Sequence, residues 1–181
     1  MLLETPDVEV GWQAAPFKLA NPQGNWFSDD QIMGENGMLI AFICNHCPYV
    51  KAIIDRLVQD AKILQDEGFG VAAIMSNDYH YVAEDSPENM RSFVKQHGFT
   101  FPYLVDEDQS TGKIYGAVCT PDFFGFNAER TLQYRGRLDD AKMGDASDRI
   151  PEMLNAMRLI GQTGKGPAKQ HPGMGCSIKW S

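Results

Sequence analysis

An unbroken apolar run, Met38-Leu39-Ile40-Ala41-Phe42-Ile43, stops at Cys44-Asn45-His46-Cys47 and passes straight into a proline-led amphipathic segment. That junction constrains the chain more than any other stretch. Consecutive apolar residues of this kind predict a central strand covered on both faces. After Pro48, apolar side chains recur at Val50, Ile53, Ile54, Leu57, Val58, Ala61 and Leu64, one stripe of a helix that Gly68 ends. Pro48 suits the first turn, where no amide hydrogen is required. The two thiols therefore fall at a helix amino terminus, whose unpaired N–H groups and partial positive charge favour a thiolate. A lowered pKa makes cysteine a nucleophile, and a second thiol three residues away can resolve a mixed disulfide.

The flanking segments extend the pattern. Val71-Ala72-Ala73-Ile74-Met75 reads as a second buried strand, and Ser86-Pro87-Glu88 opens a helix with Met90, Phe93 and Val94 inward. Strand and helix in alternation imply a parallel sheet with right-handed crossovers. Phe101 to Val105 is a short extended piece, followed by a brief helix around Gly112 to Tyr115. Asp122 to Phe126 and Leu132 to Gly136 predict an antiparallel hairpin on the sheet edge, entered through Pro121. A last helix is expected from about Ser147 to Ile160, burying Ile150, Met153, Leu154, Met157 and Ile160. Residues 1–160 are thus one α/β domain and 161–181 a tail. In the tail Gly161 to Gly166 reads as a flexible connector, and Ile178 and Trp180 are expected to dock around Cys176. The acids Asp106, Glu107 and Asp108, and Asp139 with Asp140, are read as solvated loops.

These residues resemble a known superfamily. The order of elements, the Cys44-x-x-Cys47-Pro48 turn and Thr120-Pro121 before the hairpin look like the thioredoxin fold, a central mixed sheet flanked by helices. The segment Ala15 to Leu19, through Gly24 to Phe27-Ser28, is similar to the amino-terminal hairpin of the peroxiredoxin, AhpC/TSA and TlpA-like branch. The phrases around Cys44-Asn45-His46-Cys47-Pro48, Cys119-Thr120-Pro121, Tyr134 to Asp140 and Gly175 to Trp180 resemble bacterial AhpC/TSA-related proteins over nearly the whole chain. The resemblance implies a thiol–disulfide oxidoreductase in which Cys44 is the more exposed attacking thiol and Cys47 the buried resolving one. It also implies a cis bond at Thr120-Pro121, with the Thr120 backbone placed to pair with an incoming peptide. Thioredoxins carry a buried acid six residues before the first cysteine. Met38 stands there in this chain, which leaves either Glu35 or water to carry the proton.

Other residues are weighed against plainer roles. His46 is either a half-exposed helix residue or an imidazolium that stabilises the neighbouring thiolate. Cys119 reads as a packing residue or, turned toward the site, as a third thiol. Cys176 is equally open as a regulatory or an incidental thiol. A peroxidase is the alternative function, in which a thiolate is oxidised to sulfenic acid and resolved, an antioxidant activity. Aligned with the peroxiredoxin motif, Cys47 takes the reactive position, Cys44 stands where a hydroxyl belongs and Ile40 where a proline belongs. A more distant alternative is metal binding by Cys44, His46, Cys47 and Cys176, although no second closely spaced ligand pair is present.

The remaining composition narrows partners. A formal net charge of −8 offers no basic footprint, so nucleic acid is not an expected partner. Met1 to Asp7 lacks a basic region followed by a long apolar run, which predicts no secretory signal or membrane anchor and a reducing cytoplasm, where persistent structural disulfides are uncommon. The expected partners are protein or low-molecular-weight disulfides and an upstream reductant, with no cofactor.

Overall fold

The computed structural model describes residues 1–7 and 9–181. Its framework is a mixed sheet whose centre is β4 (Gly37–Phe42), buried at every position. β4 pairs in parallel with β5 (Phe69–Met75), and β5 pairs in parallel with β6 (Tyr103–Val105). On its other side β4 pairs antiparallel with β8 (Asp122–Phe126), which continues into the edge strand β9 (Leu132–Gly136). An amino-terminal hairpin, β2 (Lys18–Ala20) and β3 (Trp26–Ser28), closes the opposite edge against β6.

Strand geometry explains the unbroken apolar run. Side chains alternate between faces, so Leu39, Ala41 and Ile43 enter one core while Met38, Ile40 and Phe42 enter another. The first core lies beneath α2 (Pro48–Asp66), α3 (Pro87–His97) and α5 (Glu152–Thr163). The second joins the hairpin and Ile32 of α1 (Asp29–Ile32) to Tyr115 of α4 (Ser110–Tyr115) and to Ile178 of the tail. α2 contributes Val50, Ile53, Ile54, Leu57, Ala61 and Leu64 to the first core, and each large aliphatic residue buried there contributes roughly 1.5–3 kcal/mol. Gly68, with φ of +86°, reverses the chain after α2 so that it returns directly as β5.

A second, small sheet lies beside the carboxyl end of β4. Its order is β1 (Leu2–Glu4), β10 (Met174–Ser177), β7 (Cys119–Thr120). The tail is fixed further by hydrogen bonds from the Lys179 N–H to Asn77 Oδ1 and from Gln109 Nε2 to the Lys179 carbonyl, both 2.8 Å. Ile178 is buried, while Trp180 stays 40% exposed with the Lys113 ammonium 5.5 Å from its ring centre. Among the described residues no helix is long and apolar enough to cross a membrane.

Several sequence expectations need correction. The last helix begins at Glu152 and runs through Gly161 to Thr163, so the connector starts only after Gly164. Pro151 disfavours helical backbone at Ile150, which is 56% exposed, and Asp145 holds Ser147 in a local turn instead. Asp106 is buried rather than solvated. It accepts from the Ser76 hydroxyl at 2.7 Å and from the Gly112 N–H at 2.8 Å, so it anchors α4. Asp139 is buried as well, paired with Arg56 at 2.8 Å and Arg149 at 3.3 Å.

Candidate active site

β4 delivers the thiols. Its ladder extends one bond further, from the Ile43 N–H to the Ile74 carbonyl, after which the chain turns through Cys44 to Cys47 into α2. Cys47 is the amino-terminal cap of that helix and Pro48 begins its first turn. Opposite stands the end of β7, where the Thr120–Pro121 peptide is cis. The Cys44 sulfur lies 3.3 Å from the Thr120 hydroxyl, and the Cys47 sulfur 3.3 Å from the Thr120 carbonyl. A single residue thus touches both sulfurs through different groups.

The structure does not separate an exposed thiol from a buried one: Cys44 and Cys47 are both 0% exposed. What distinguishes them is hydrogen bonding. The Cys44 thiol lowers Cys47 to about 4 against the opposing effect of burial, and the Cys176 thiol and the N–H groups of Val50 and Cys176 act in the same direction. Cys44 moves the other way. Its interaction with Cys47, its burial and the nearby Asp85 charge all raise it, and the Thr120 hydroxyl only partly offsets them. The two sulfurs are thus set to share one proton, and the N–H groups that reach Cys47 favour the charge on that sulfur. When Cys47 is protonated, the Thr120 carbonyl is its acceptor.

Behind the thiols sits a carboxylate that sequence reasoning missed. Asp85 accepts from the main-chain N–H of Asn45 at 2.8 Å, from Asn77 Nδ2 at 2.8 Å and from His46 Nδ1 at 2.6 Å. Burial pushes Asp85 up, but hydrogen bonds from His46 and Asn77 more than offset this and leave it below its ordinary value. His46 is raised in turn, chiefly by its bond to Asp85. The buried Asp85 anion is the chief partner of the imidazole, and the Cys47 sulfur acts on it in the same direction by a smaller amount. Asn45 completes the cluster by accepting from the buried Tyr103 hydroxyl at 2.9 Å. Only a weak sequence signal existed for Asp85: an acid immediately before a Ser-Pro helix cap, distant in sequence from the thiols.

Glu35 is placed far from this site. It sits beside Gly68, at the end of β4 away from the thiols, and Met38 packs in the second core. Cys119 is buried with its sulfur 3.9 Å from the Pro121 carbonyl, and burial, then the Asp122 charge, push it up to about 12. Cys176 lies on β10 directly opposite Thr120 in register. Burial and the Cys47 sulfur push it up to about 11. The four residues weighed as metal ligands do not form one set. Among the described residues, the group with ligand-capable atoms within 4.8 Å of one another is Cys44, His46 and Asp85, and His46 Nδ1 is already engaged by Asp85.

Comparison with known proteins gives the family and the fold. A family model described as the AhpC/TSA family matches residues 10–135. An uncharacterized conserved protein from Geobacillus kaustophilus is 39% identical, with 100% of this chain and 97% of that one covered and a TM-score of 0.93. A hypothetical protein from Sinorhizobium meliloti 1021 is 38% identical, with 98% of each chain covered and a TM-score of 0.91. A secreted Mycobacterium tuberculosis disulfide oxidoreductase homologous to E. coli DsbE is 20% identical, with 65% of this chain and 80% of that one covered and a TM-score of 0.55. At that identity the likeness concerns the fold alone. No match was found among curated proteins.

Proposed function

The chain belongs to the AhpC/TSA family and has the thioredoxin-like fold, and from that premise we propose that it exchanges disulfides through a Cys44/Cys47 couple. The observation that carries the reading is the paired sulfurs at the start of α2, both against Thr120. In the reducing direction the Cys47 thiolate attacks one sulfur of a substrate disulfide and forms a mixed disulfide. The displaced thiolate takes the Cys44 proton. Cys44, now ionised, attacks the Cys47 sulfur and releases the second substrate thiolate, which is protonated by water. Two electrons have passed to the substrate, and a Cys44–Cys47 disulfide remains for an upstream dithiol reductant. The substrates that suit this chemistry are protein or low-molecular-weight disulfides.

This order reverses the one implied by resemblance, and alkylation distinguishes them. At pH 6 the reduced protein is expected to label first on Cys47, because its lowered pKa keeps it a thiolate where an ordinary cysteine, with a pKa of roughly 8.5, would be almost fully protonated. Peptide mapping after brief iodoacetamide treatment provides the readout. First labelling on Cys44 would return the attacking role to Cys44, and failure of glutathione disulfide to link the two would sink the dithiol reading. The lowered Cys47 also favours a second reading, since Cys47 takes the peroxiredoxin reactive position. There a peroxide would oxidise Cys47 to sulfenic acid with release of an alcohol or water, and Cys44 would condense with it, releasing water. Peroxide consumption coupled to a thiol reductant measures this directly.

A further inference from the structure

The tail brings a third sulfur to the pair. β10 runs antiparallel to β7 with Cys176 opposite Thr120 and Ser177 opposite Cys119. Directly opposed antiparallel residues have Cα atoms about 4.5–5.5 Å apart. Thr120 is the residue that touches both Cys44 and Cys47, so Cys176 faces the site across one strand spacing. The approach is close: a Cβ at Gly175 would overlap the Thr120 carbonyl. The strand is also held from both sides. The Ile178 N–H donates to the Val118 carbonyl at 3.1 Å, and the Ser177 N–H to the Met1 carbonyl at 2.7 Å. Strand addition is a general way for a peptide to reach a sheet edge, and here the chain's own tail occupies that edge.

Resting on the dithiol reading above, we propose that Cys176 is a third exchanging thiol, which takes the disulfide over from Cys44. The Cys176 sulfur, as thiolate, attacks the Cys47 sulfur of the Cys44–Cys47 disulfide. A Cys47–Cys176 bond forms, the Cys44–Cys47 bond breaks, and Cys44 leaves as a thiolate that takes up a proton. No electrons enter or leave the protein, because the step is an isomerisation. Timing follows from charge. The Cys47 charge is among the groups that hold the Cys176 proton, and oxidation of the pair removes it, so Cys176 ionises more readily once the disulfide has formed. Cys119 takes no part. Side chains alternate along β7, so the Cys119 side chain takes the face opposite to that of Thr120; its sulfur lies 3.9 Å from the Pro121 carbonyl, and burial is the chief cause that raises its thiol.

Disulfide mapping tests the step. Full-length Cys44→Ser, incubated with glutathione disulfide, is expected to lose Cys47 and Cys176 together to one linked peptide, leaving Cys119 alkylated. A persistent Cys47–glutathione adduct with Cys176 still alkylated would overturn the proposal, as would a Cys47–Cys119 link. Oxidised wild-type chain supplies the measurement that does not depend on a variant. It should contain Cys47–Cys176 peptides beside Cys44–Cys47 peptides, and their absence at every time point would also overturn the proposal. Cys176→Ser isolates the underlying reading: if it forms no Cys44–Cys47 disulfide, the dithiol couple itself is wrong.

Discussion

Asp85→Ala is expected to melt about 6–12 °C below the parent chain, a loss of about 3 kcal/mol for a domain of this size. The substitution leaves the N–H groups of Asn45 and His46, Asn77 Nδ2 and His46 Nδ1 without their acceptor. Each buried donor left unsatisfied costs on the order of 1–3 kcal/mol, and relaxation recovers part of the sum. Asp85→Asn keeps one acceptor oxygen and should recover some of the loss. Both variants remove a charge that raises Cys44, so Cys44 should alkylate faster in each at fixed pH. The pH dependence has two limbs. Asp85 is depressed in the folded chain, so its contribution is present above roughly 3.9 and lost as pH falls through its lower folded value. His46 is raised, so its contribution is present below roughly 6.5 and lost as pH rises through its higher folded value. Between those limits the pair is fully stabilising. Thermal melts of Asp85→Ala within about 2 °C of the parent across that window would show that the cluster has no such role.

Arg135→Met should be more damaging still, by about 3–5 kcal/mol at pH 7, because it strands a buried carboxylate. Arg135 holds Asp122 through two bonds, at 3.2 and 2.8 Å, donates to the Gly116 carbonyl at 2.9 Å and lies over the Phe124 ring at 4.5 Å. Burial pushes Asp122 up, and Arg135 only partly opposes this. A carboxyl raised on folding contributes stability that is present below its ordinary value and lost as pH rises through the folded one. Without the arginine that rise grows, so the deficit of Arg135→Met should shrink in urea unfolding at pH 4.5 relative to pH 7. A deficit independent of pH would assign the loss to packing on Phe124 instead. The Asp122→Asn, Arg135→Met double variant should regain part of the stability. Asp122 directly follows Pro121 and pairs with Phe42 in register, so this ion pair also fixes the loop that faces the thiols.

Much of the framework was legible because period and composition agreed. β4 is buried throughout, α2 buries its predicted stripe except for the half-buried Val58, and the cysteine pair falls at their junction. What escaped reading depended on contacts between distant segments. Asp85, Asp106 and Asp139 look like loop acids until the donors they meet are known: His46 and Asn77, Ser76 and Gly112, Arg56 and Arg149. Charge alone cannot distinguish a solvated carboxylate from one that organises a buried turn. β1 and β10 are too short to show alternation, and their pairing joins residues near opposite ends of the chain. The balance of protons between Cys44 and Cys47 was likewise hidden, since the hydrogen bond within the pair is biased by burial and by Thr120, Asp85 and Cys176, which the motif does not contain.

The strand that covers Thr120 is also the part of the site synthesised last. Thr120 leaves the ribosome before Met174, and at about 5–20 residues per second the interval is roughly 3–11 s. Throughout that interval β4, α2 and the Thr120 edge can assemble while their cover does not yet exist. The nascent chain therefore presents an open sheet edge beside two thiols, free to pair with any extended peptide carrying a disulfide or a thiol. Synthesis of β10 closes that opportunity by supplying the competing strand from within. A chain stalled before Met174 would keep its thiols beside an uncovered Thr120 edge, and extended peptides that β10 excludes from that edge in the finished protein would pair there.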